Sequence, residues 1–128
     1  MNKVVLDSSA LLALLNSEPG SEKLTAELLS IAVCSTVNLA EVHSKLVSKG
    51  LSESDAWTAS TAPVSELVDF TVAHAQLAGD LVRQTRPLGL SLGDRACLAL
   101  GMELGAPVYT ADRAWKKLGL PVQIHVIR

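Results

Sequence analysis

Short apolar runs alternate with longer amphipathic segments along the chain, and this order predicts strands followed by helices. The apolar runs are too short for helices and are bounded by polar residues or breakers, which is typical of buried strands. The predicted strands span residues 3–6, 32–35, 66–71, 107–109 and 122–127.

The amphipathic segments carry helix start and stop signals. In the segment after the second strand, Leu39, Val42 and Leu46 fall on one face, and Gly50 ends the helix. The first predicted helix begins at residue 8, and the others span 20–32, 36–50, 52–60, 72–86, 91–105 and 111–119. This alternation predicts an α/β fold in which a mostly parallel sheet of four to five short strands has helices on both faces.

Composition is that of a globular domain. Of the 128 residues 48% are apolar and no segment is repetitive, so we expect residues 1–128 to form a single domain. No apolar run approaches the ~20 residues of a membrane span, and the first residues lack the features of a secretory signal. We therefore expect a cytoplasmic protein without membrane contact, in which Cys34 and Cys97 are buried free thiols.

Charge limits how the chain can contact nucleic acid. The formal net charge is -2, which argues against a basic module that binds by neutralising phosphates. The chain also lacks the phosphate-binding and nucleophile motifs GxxxxGK[ST], GxGxxG and GxSxG. Contact with nucleic acid therefore requires positive charge from another source.

Four acids are distinguished by their places relative to the predicted elements. Asp7 and Asp112 each follow a strand, while Glu41 and Asp94 lie in early turns of helices. Capping explains two of them, because Asp7 precedes a helix and Asp94 lies three residues after Ser91 in a capping-box pattern.

The other two acids also have ordinary structural explanations. Glu41 can pair with Lys45 one helical turn later. Asp112 lies two residues after Thr110, the predicted cap of the following helix, where the helix dipole favours any acid.

Taken together, the four acids point to chemistry, because all can reach the crevice beyond the carboxyl ends of the strands, where ligands bind in such folds. Carboxylates ~4 Å apart repel one another by roughly 4 kcal/mol at an effective dielectric constant near 20. A hard divalent cation removes this repulsion, and Mg²⁺ accepts oxygen ligands while keeping several waters. Such an ion can orient a phosphodiester and activate a water for in-line attack.

Neutral and basic residues beside the acids are candidates for supporting roles. Side chains that can hold carboxylates or metal-bound waters are Ser8, Asn38 and Thr110, although capping explains them equally well. Candidate phosphate contacts are Arg83, Arg86, Arg95 and Arg113. Arg95 is favoured because it follows Asp94 directly.

Several stretches resemble PIN-domain proteins, and specifically the VapC-type toxins of bacterial toxin–antitoxin pairs. They are VVLDSSALLALL, the STVNLAEV segment, LGLSLGDRACLALGMELGAPVYTADRAW and the closing strand, which together cover nearly the whole chain in the family's order. The resemblance implies a Mg²⁺- or Mn²⁺-dependent endoribonuclease whose catalytic, metal-binding quartet is Asp7, Glu41, Asp94 and Asp112. It also implies that Thr110 supports the site, that the protein forms a homodimer, and that a small antitoxin blocks the crevice.

The resemblance leads to an expectation for one substitution. Asp7→Asn should abolish RNA cleavage while keeping or slightly raising the melting temperature, because an exposed carboxylate in a crowded acidic cluster destabilises the fold.

Three alternatives stay open. A PIN-like module that binds RNA or a partner without cutting would be expected to lack one or more acids, and all four are present. A receiver-type signalling domain also binds Mg²⁺ at strand ends, but it needs a lysine after a late strand, where this chain has Thr110. In-line hydrolysis needs no 2′-hydroxyl, so the residues do not distinguish RNA from DNA, nor one metal ion from two.

Overall fold

The computed structural model describes residues 2–128, and its centre is a five-stranded sheet. The strands are β1 (Val4–Leu6), β2 (Ala32–Ser35), β3 (Glu66–Val68), β4 (Val108–Thr110) and β5 (Ile124–Val126). Their order across the sheet is β3-β2-β1-β4-β5, and every neighbouring pair is parallel. The predicted α/β class is confirmed, and the sheet is wholly parallel.

Helices connect the strands and cover the sheet. They are α1 (Ser8–Leu15), α2 (Ala26–Leu29), α3 (Thr36–Ser48), α4 (Glu53–Thr61), α5 (Val72–Asp80), α6 (Val82–Thr85) and α7 (Leu92–Leu104). Short 3-10 helices span Ser21–Lys23, Arg86–Leu88 and Arg113–Lys117. No helix within residues 2–128 has both the length and the apolar character needed to cross a bilayer.

The sheet divides the apolar interior into two clusters, one on each face. In β1, Val4 and Leu6 belong to the first cluster and Val5 to the second. Successive side chains of a strand point to opposite faces, so a strand covered on both sides must be continuously apolar. Both cysteines are buried free thiols, Cys34 in the first cluster and Cys97 in the second, as predicted.

Two predicted helices are interrupted in the structure. The segment 20–32 forms only a 3-10 turn and the four-residue α2, because Thr25 starts a new helix by accepting a hydrogen bond from the Leu28 amide. The segment 72–86 divides into α5 and α6. There the Thr85 hydroxyl donates to the Leu81 carbonyl at 2.8 Å, a back-bond that bends helices.

The third strand is shorter than predicted and ends at Val68. Two residues later, the Phe70 amide donates to the Thr36 hydroxyl at 3.1 Å. The backbone at Phe70 is therefore hydrogen-bonded to the start of α3 and no longer pairs with β2.

Candidate active site

The carboxyl ends of the parallel strands meet at one edge of the sheet, and the four acids lie there. Asp7 follows β1 directly, and Asp112 comes two residues after the end of β4. Glu41 lies in the second turn of α3, and Asp94 lies in the first turn of α7. The structure therefore places the four acids at the same edge of the sheet, while their convergence on one ion and their roles stay predictions.

Two adjoining cavities open at this edge. The first, here called the crevice, has a volume of about 380 Å³, and its lining includes Glu41 and Asp94. The second, here called the hollow, has a volume of about 440 Å³ and is lined in part by Asp112. Ser9 and Arg128 line both cavities, so the crevice and the hollow share part of their walls.

Asp7 is buried and fully engaged by hydrogen bonds. It caps α1, since the Ala10 amide donates to its Oδ1 at 2.8 Å. The Thr110 hydroxyl donates to Oδ2 at 2.6 Å, and the Ser9 hydroxyl lies within 2.9 Å of both carboxylate oxygens. The side chain is only 2% exposed, so the expectation of an exposed carboxylate is wrong.

Burial raises the pKa of Asp7 to about 6. The hydrogen bonds from Thr110, Ala10 and Ser9 act in the opposite direction, and the charge of Asp94 adds a smaller increase. The ionised form of Asp7 is therefore disfavoured mainly because the carboxylate is removed from water, and less because other acids lie near it. At neutral pH the folded protein holds an ionised Asp7 in a place that disfavours ionisation.

Glu41 is held by neutral donors, and no ion pair with another residue of the range 2–128 holds it. The Ser8 hydroxyl donates to its Oε1, and the Asn38 amide group donates to the same oxygen at 3.1 Å. Asn38 also donates to the Gly93 carbonyl at 3.0 Å, which ties α3 to α7. The alternative that Glu41 pairs with Lys45 is not realised among residues 2–128.

The absence of a side chain at Gly93 makes room for Glu41. A Cβ built on Gly93 would lie 2.6 Å from the carboxyl carbon of Glu41 and closer still to both carboxylate oxygens. Real Cβ atoms do not approach other atoms so closely, and the first turn of α7 cannot move without disturbing Asp94. The carboxylate of Glu41 thus rests directly against the backbone of the neighbouring helix.

Asp94 and Asp112 both cap helices and face the site. Asp94 accepts from the Ser91 amide at 2.9 Å in a capping box, and Asp112 accepts from the Ala114 amide at 2.9 Å. Burial raises the pKa of Asp94, and the charges of Glu41 and Asp112 raise it further. Capping therefore leaves both carboxylates at the site, where a role in chemistry stays a prediction.

Thr110 is not the helix cap that the sequence suggested. It is the last residue of β4, fully buried, and Asp112 is the cap of the following 3-10 helix. The Thr110 hydroxyl instead links two acids, because it donates to Asp7 and accepts from the Asp112 amide at 3.1 Å. The strand continues one residue further than predicted, which places this hydroxyl beside β1.

Arg95 is directed toward α5. Its guanidinium donates to the Ala78 carbonyl at 2.9 Å, and the residue is half-buried. Its contact with RNA stays a prediction, and this hydrogen bond does not favour it. The cations that do line the crevice are Lys45 and Arg128.

Sequence reasoning missed several residues of the site. Ser9 could have been identified because it lies two residues after Asp7, and Lys45 because it lies one helical turn after Glu41. Nothing in the sequence identifies Arg128, because only the fold brings it to this edge.

The donor set fits a hard divalent cation. Within residues 2–128, no group of three or more His, Cys, Asp or Glu side chains is arranged to hold a metal ion as the side chains are placed. The four acids are nevertheless coupled electrostatically through Asp94, and every candidate donor is an oxygen. The buried Oδ1 of Asn38 also has no hydrogen-bond partner in the part of the chain that the structure describes. Oxygen-only carboxylate sites suit Mg²⁺ and Mn²⁺ rather than softer metals.

Comparison with known proteins identifies the family. The family model described as PIN domain matches residues 4–120. The chain belongs to the PIN domain family. None of the curated protein sequences matches this PIN domain, so the remaining relationships come from solved structures.

Solved structures similar to this PIN domain include several toxin–antitoxin proteins. A DNA-bound VapBC from Salmonella typhimurium is 16% identical with a TM-score of 0.76, and the alignment covers 100% of both chains. VapC20 of Mycobacterium tuberculosis, described as a Sarcin-Ricin loop cleaving toxin, is 19% identical with a TM-score of 0.76, covering 94% of this chain and 99% of that one. VapBC2 from Rickettsia felis, bound to a promoter DNA fragment, is 20% identical with a TM-score of 0.74, covering 96% and 97%. At these identities the likeness establishes the fold.

Proposed function

We propose that this PIN domain is a Mg²⁺- or Mn²⁺-dependent endoribonuclease and the toxin of a VapBC-type toxin–antitoxin pair. One observation carries the proposal. The acids Asp7, Glu41, Asp94 and Asp112 converge on one edge of the sheet, and none of them forms an ion pair within residues 2–128. A fold that gathers carboxylates at one edge and leaves them without ion pairs is suited to bind a cation.

The same four acids would hold the metal. When bound, a divalent ion supplies positive charge for a phosphodiester and lowers the pKa of a water that attacks phosphorus. Its binding competes with protons at Asp7, since a ligand carboxylate must be ionised.

The remaining residues of the site orient these carboxylates. Thr110 and Ser9 fix both oxygens of Asp7, and Ser8 and Asn38 fix Glu41. Hydrogen bonds of this kind hold ligand side chains in position before the metal arrives, which reduces the reorganisation that binding requires.

Family relationships support the toxin assignment and its partners. Several similar structures are VapBC complexes, and one similar toxin is described as cleaving the Sarcin-Ricin loop. By analogy, we expect a cognate antitoxin, a homodimer and an RNA substrate for this chain, in the cytoplasm. A non-cleaving PIN-like module is less consistent with the site, because all four acids are present and directed to one edge.

The decisive experiment is cleavage of a mixed pool of structured RNAs by the purified protein. Reactions with Mg²⁺, with Mn²⁺ and with EDTA are compared for the wild type, for Asp94→Asn and for Asp55→Asn, a matched change of an exposed acid in α4. We expect metal-dependent cuts that Asp94→Asn abolishes and Asp55→Asn retains.

The same assay separates the competing functions. Cleavage of single-stranded or flap DNA but not RNA would reassign the substrate. A folded wild type that binds metal, by calorimetric titration, and cuts neither nucleic acid would refute the nuclease and favour a binding module.

A further inference from the structure

Arg128 occupies the boundary between the crevice and the hollow. Its side chain lines both cavities, beside Glu41 and Asp94 on one side and Asp112 on the other. One guanidinium nitrogen lies 2.8 Å from Oε1 of Glu18, and each of the two side chains is 36% exposed. The charged group is therefore held by Glu18 in the wall that the two cavities share, and it remains accessible to a ligand.

The backbone that carries Arg128 is fixed on several sides. The amide of the preceding Ile127, which is fully buried, donates to the Thr110 carbonyl at 2.9 Å. Arg113 donates from Nε to the Arg128 carbonyl at 3.3 Å. Position 20 must be glycine, because Gly20 has a φ of +95° and a Cβ there would lie 2.8 Å from the Ile127 carbonyl carbon. This close approach holds the Glu18 segment against the Arg128 segment.

The charges around the two cavities leave few groups that can attract a phosphate backbone. The crevice is lined by the acids Glu18, Glu41 and Asp94, and its cations are Lys45 and Arg128. The hollow contributes one more cation, Arg113. Arg128 is the cation that the two linings share, so a strand lying across both cavities must pass it.

We propose that Arg128 is a substrate-positioning residue that binds a backbone phosphate of the nucleic acid, and that Glu18 holds its guanidinium in place until the phosphate displaces it. This inference rests on the proposed nuclease function and names a contact of the same site. An exposed ion pair contributes little net free energy, and Glu18 accepts from the guanidinium through one oxygen, whereas a phosphate can accept two parallel charge-assisted hydrogen bonds. The exchange of Glu18 for a phosphate is therefore favourable.

Glu18 and Arg128 must then have opposite effects on binding. Removing the guanidinium removes a phosphate contact and weakens binding. Removing the Glu18 carboxylate frees the guanidinium to bind a phosphate, which strengthens binding. The effect of Glu18 depends on Arg128, so it must nearly vanish when Arg128 is already replaced.

The test measures RNA binding without cleavage, in the Asp94→Asn background. Fluorescence anisotropy with a labelled pool of short RNA strands gives Kd at several salt concentrations for Arg128→Gln, Glu18→Gln, the double variant and Lys3→Gln. Lys3 lines neither cavity and forms an ion pair with Glu66, so its replacement removes one cation and one ion pair away from the site and serves as the matched control. Arg128→Lys keeps the charge without the planar fork, and thermal melting verifies that each variant folds.

We expect Arg128→Gln to weaken binding about tenfold, the effect of one charge-assisted hydrogen bond. The slope of log binding constant against log salt should fall by about 0.7, the value for one phosphate contact on a single strand. Arg128→Lys should retain most of that slope and part of the affinity. Glu18→Gln should tighten binding several-fold alone and have little effect when Arg128 is already Gln.

Two results would overturn the inference. If the wild type cleaves RNA while Arg128→Gln binds with unchanged Kd and salt slope, Arg128 is not a phosphate contact and the nuclease function stands. If Glu18→Gln tightens binding equally with and without Arg128, its effect is general electrostatics and not release of the guanidinium. A wild type that neither binds nor cleaves RNA would refute the proposed function and this contact together.

Discussion

Replacing Asp7 with Asn should stabilise the metal-free protein at neutral pH. The carboxyl group is buried and its pKa is raised from 3.8 to about 6, so the folded protein binds this proton more tightly than the unfolded chain does. The stability contributed by the protonated group is fully present below pH 3.8 and is lost as the pH rises through 6. A shift of this size corresponds to about 3 kcal/mol at pH 8.

Asparagine resembles the protonated carboxyl group in charge and shape. Its oxygen can still accept from the Ala10 amide, and the hydroxyls of Ser9 and Thr110 can rotate to accept from its amide group. Some hydrogen-bond geometry is lost, so we expect a net gain of about 1–3 kcal/mol. For a chain of this length each kcal/mol shifts the melting temperature by about 4 °C.

The assay is urea unfolding in EDTA from pH 4 to pH 8, followed by circular dichroism. The difference in unfolding free energy between Asp7→Asn and wild type should be near zero or slightly unfavourable at pH 4 and should grow in favour of the variant to its full value by pH 7.5. Asp55→Asn, at an exposed position, should show no such pH-dependent gain. Excess Mg²⁺ should then stabilise the wild type and leave Asp7→Asn nearly unchanged.

A difference that is constant from pH 4 to pH 8 would refute this reasoning, as would a variant less stable than wild type at pH 8. Either result would mean that the hydrogen bonds to Asp7 outweigh its burial. The loss of RNA cleavage by the same variant tests the proposed function separately, because an Asn can occupy the site without supplying an anionic ligand.

Three further predictions follow from the same contacts. Gly93→Ala should reduce RNA cleavage more than about tenfold with little change in melting temperature, because the new Cβ displaces Glu41 while alanine favours the helix; wild-type activity in a kinetic assay would contradict this. Thr110→Val should destabilise the protein by about 1–3 kcal/mol, because it removes the hydrogen bond from Thr110 to Asp7. Loss of that bond also raises the pKa of Asp7 further, so the pH profile of cleavage should move to higher pH, and an unmoved profile would argue against this coupling between Thr110 and Asp7. Cys97, whose pKa burial raises well above its ordinary value, should react with a thiol reagent only after unfolding, and rapid labelling of the native protein would show that the core opens.

The sequence predicted the fold with good fidelity because its signals are local. A run such as Val4–Leu6 is apolar at every position, and only a strand covered on both faces requires this. Asp7 and Asp94 were recognisable because capping and strand-end patterns depend on residues close to them in the chain. The failures were also local, as at Thr25 and Thr85, where a single hydroxyl ends or bends a helix.

The sequence by itself determined which acids exist and which element delivers each one to the carboxyl edge of the sheet. Only the tertiary structure decided their environments. The burial of Asp7, the contact of Glu41 with Gly93 and the position of Arg128 all depend on residues distant in the chain. Desolvation and close packing are properties of a three-dimensional neighbourhood, and spacing along a sequence does not encode them.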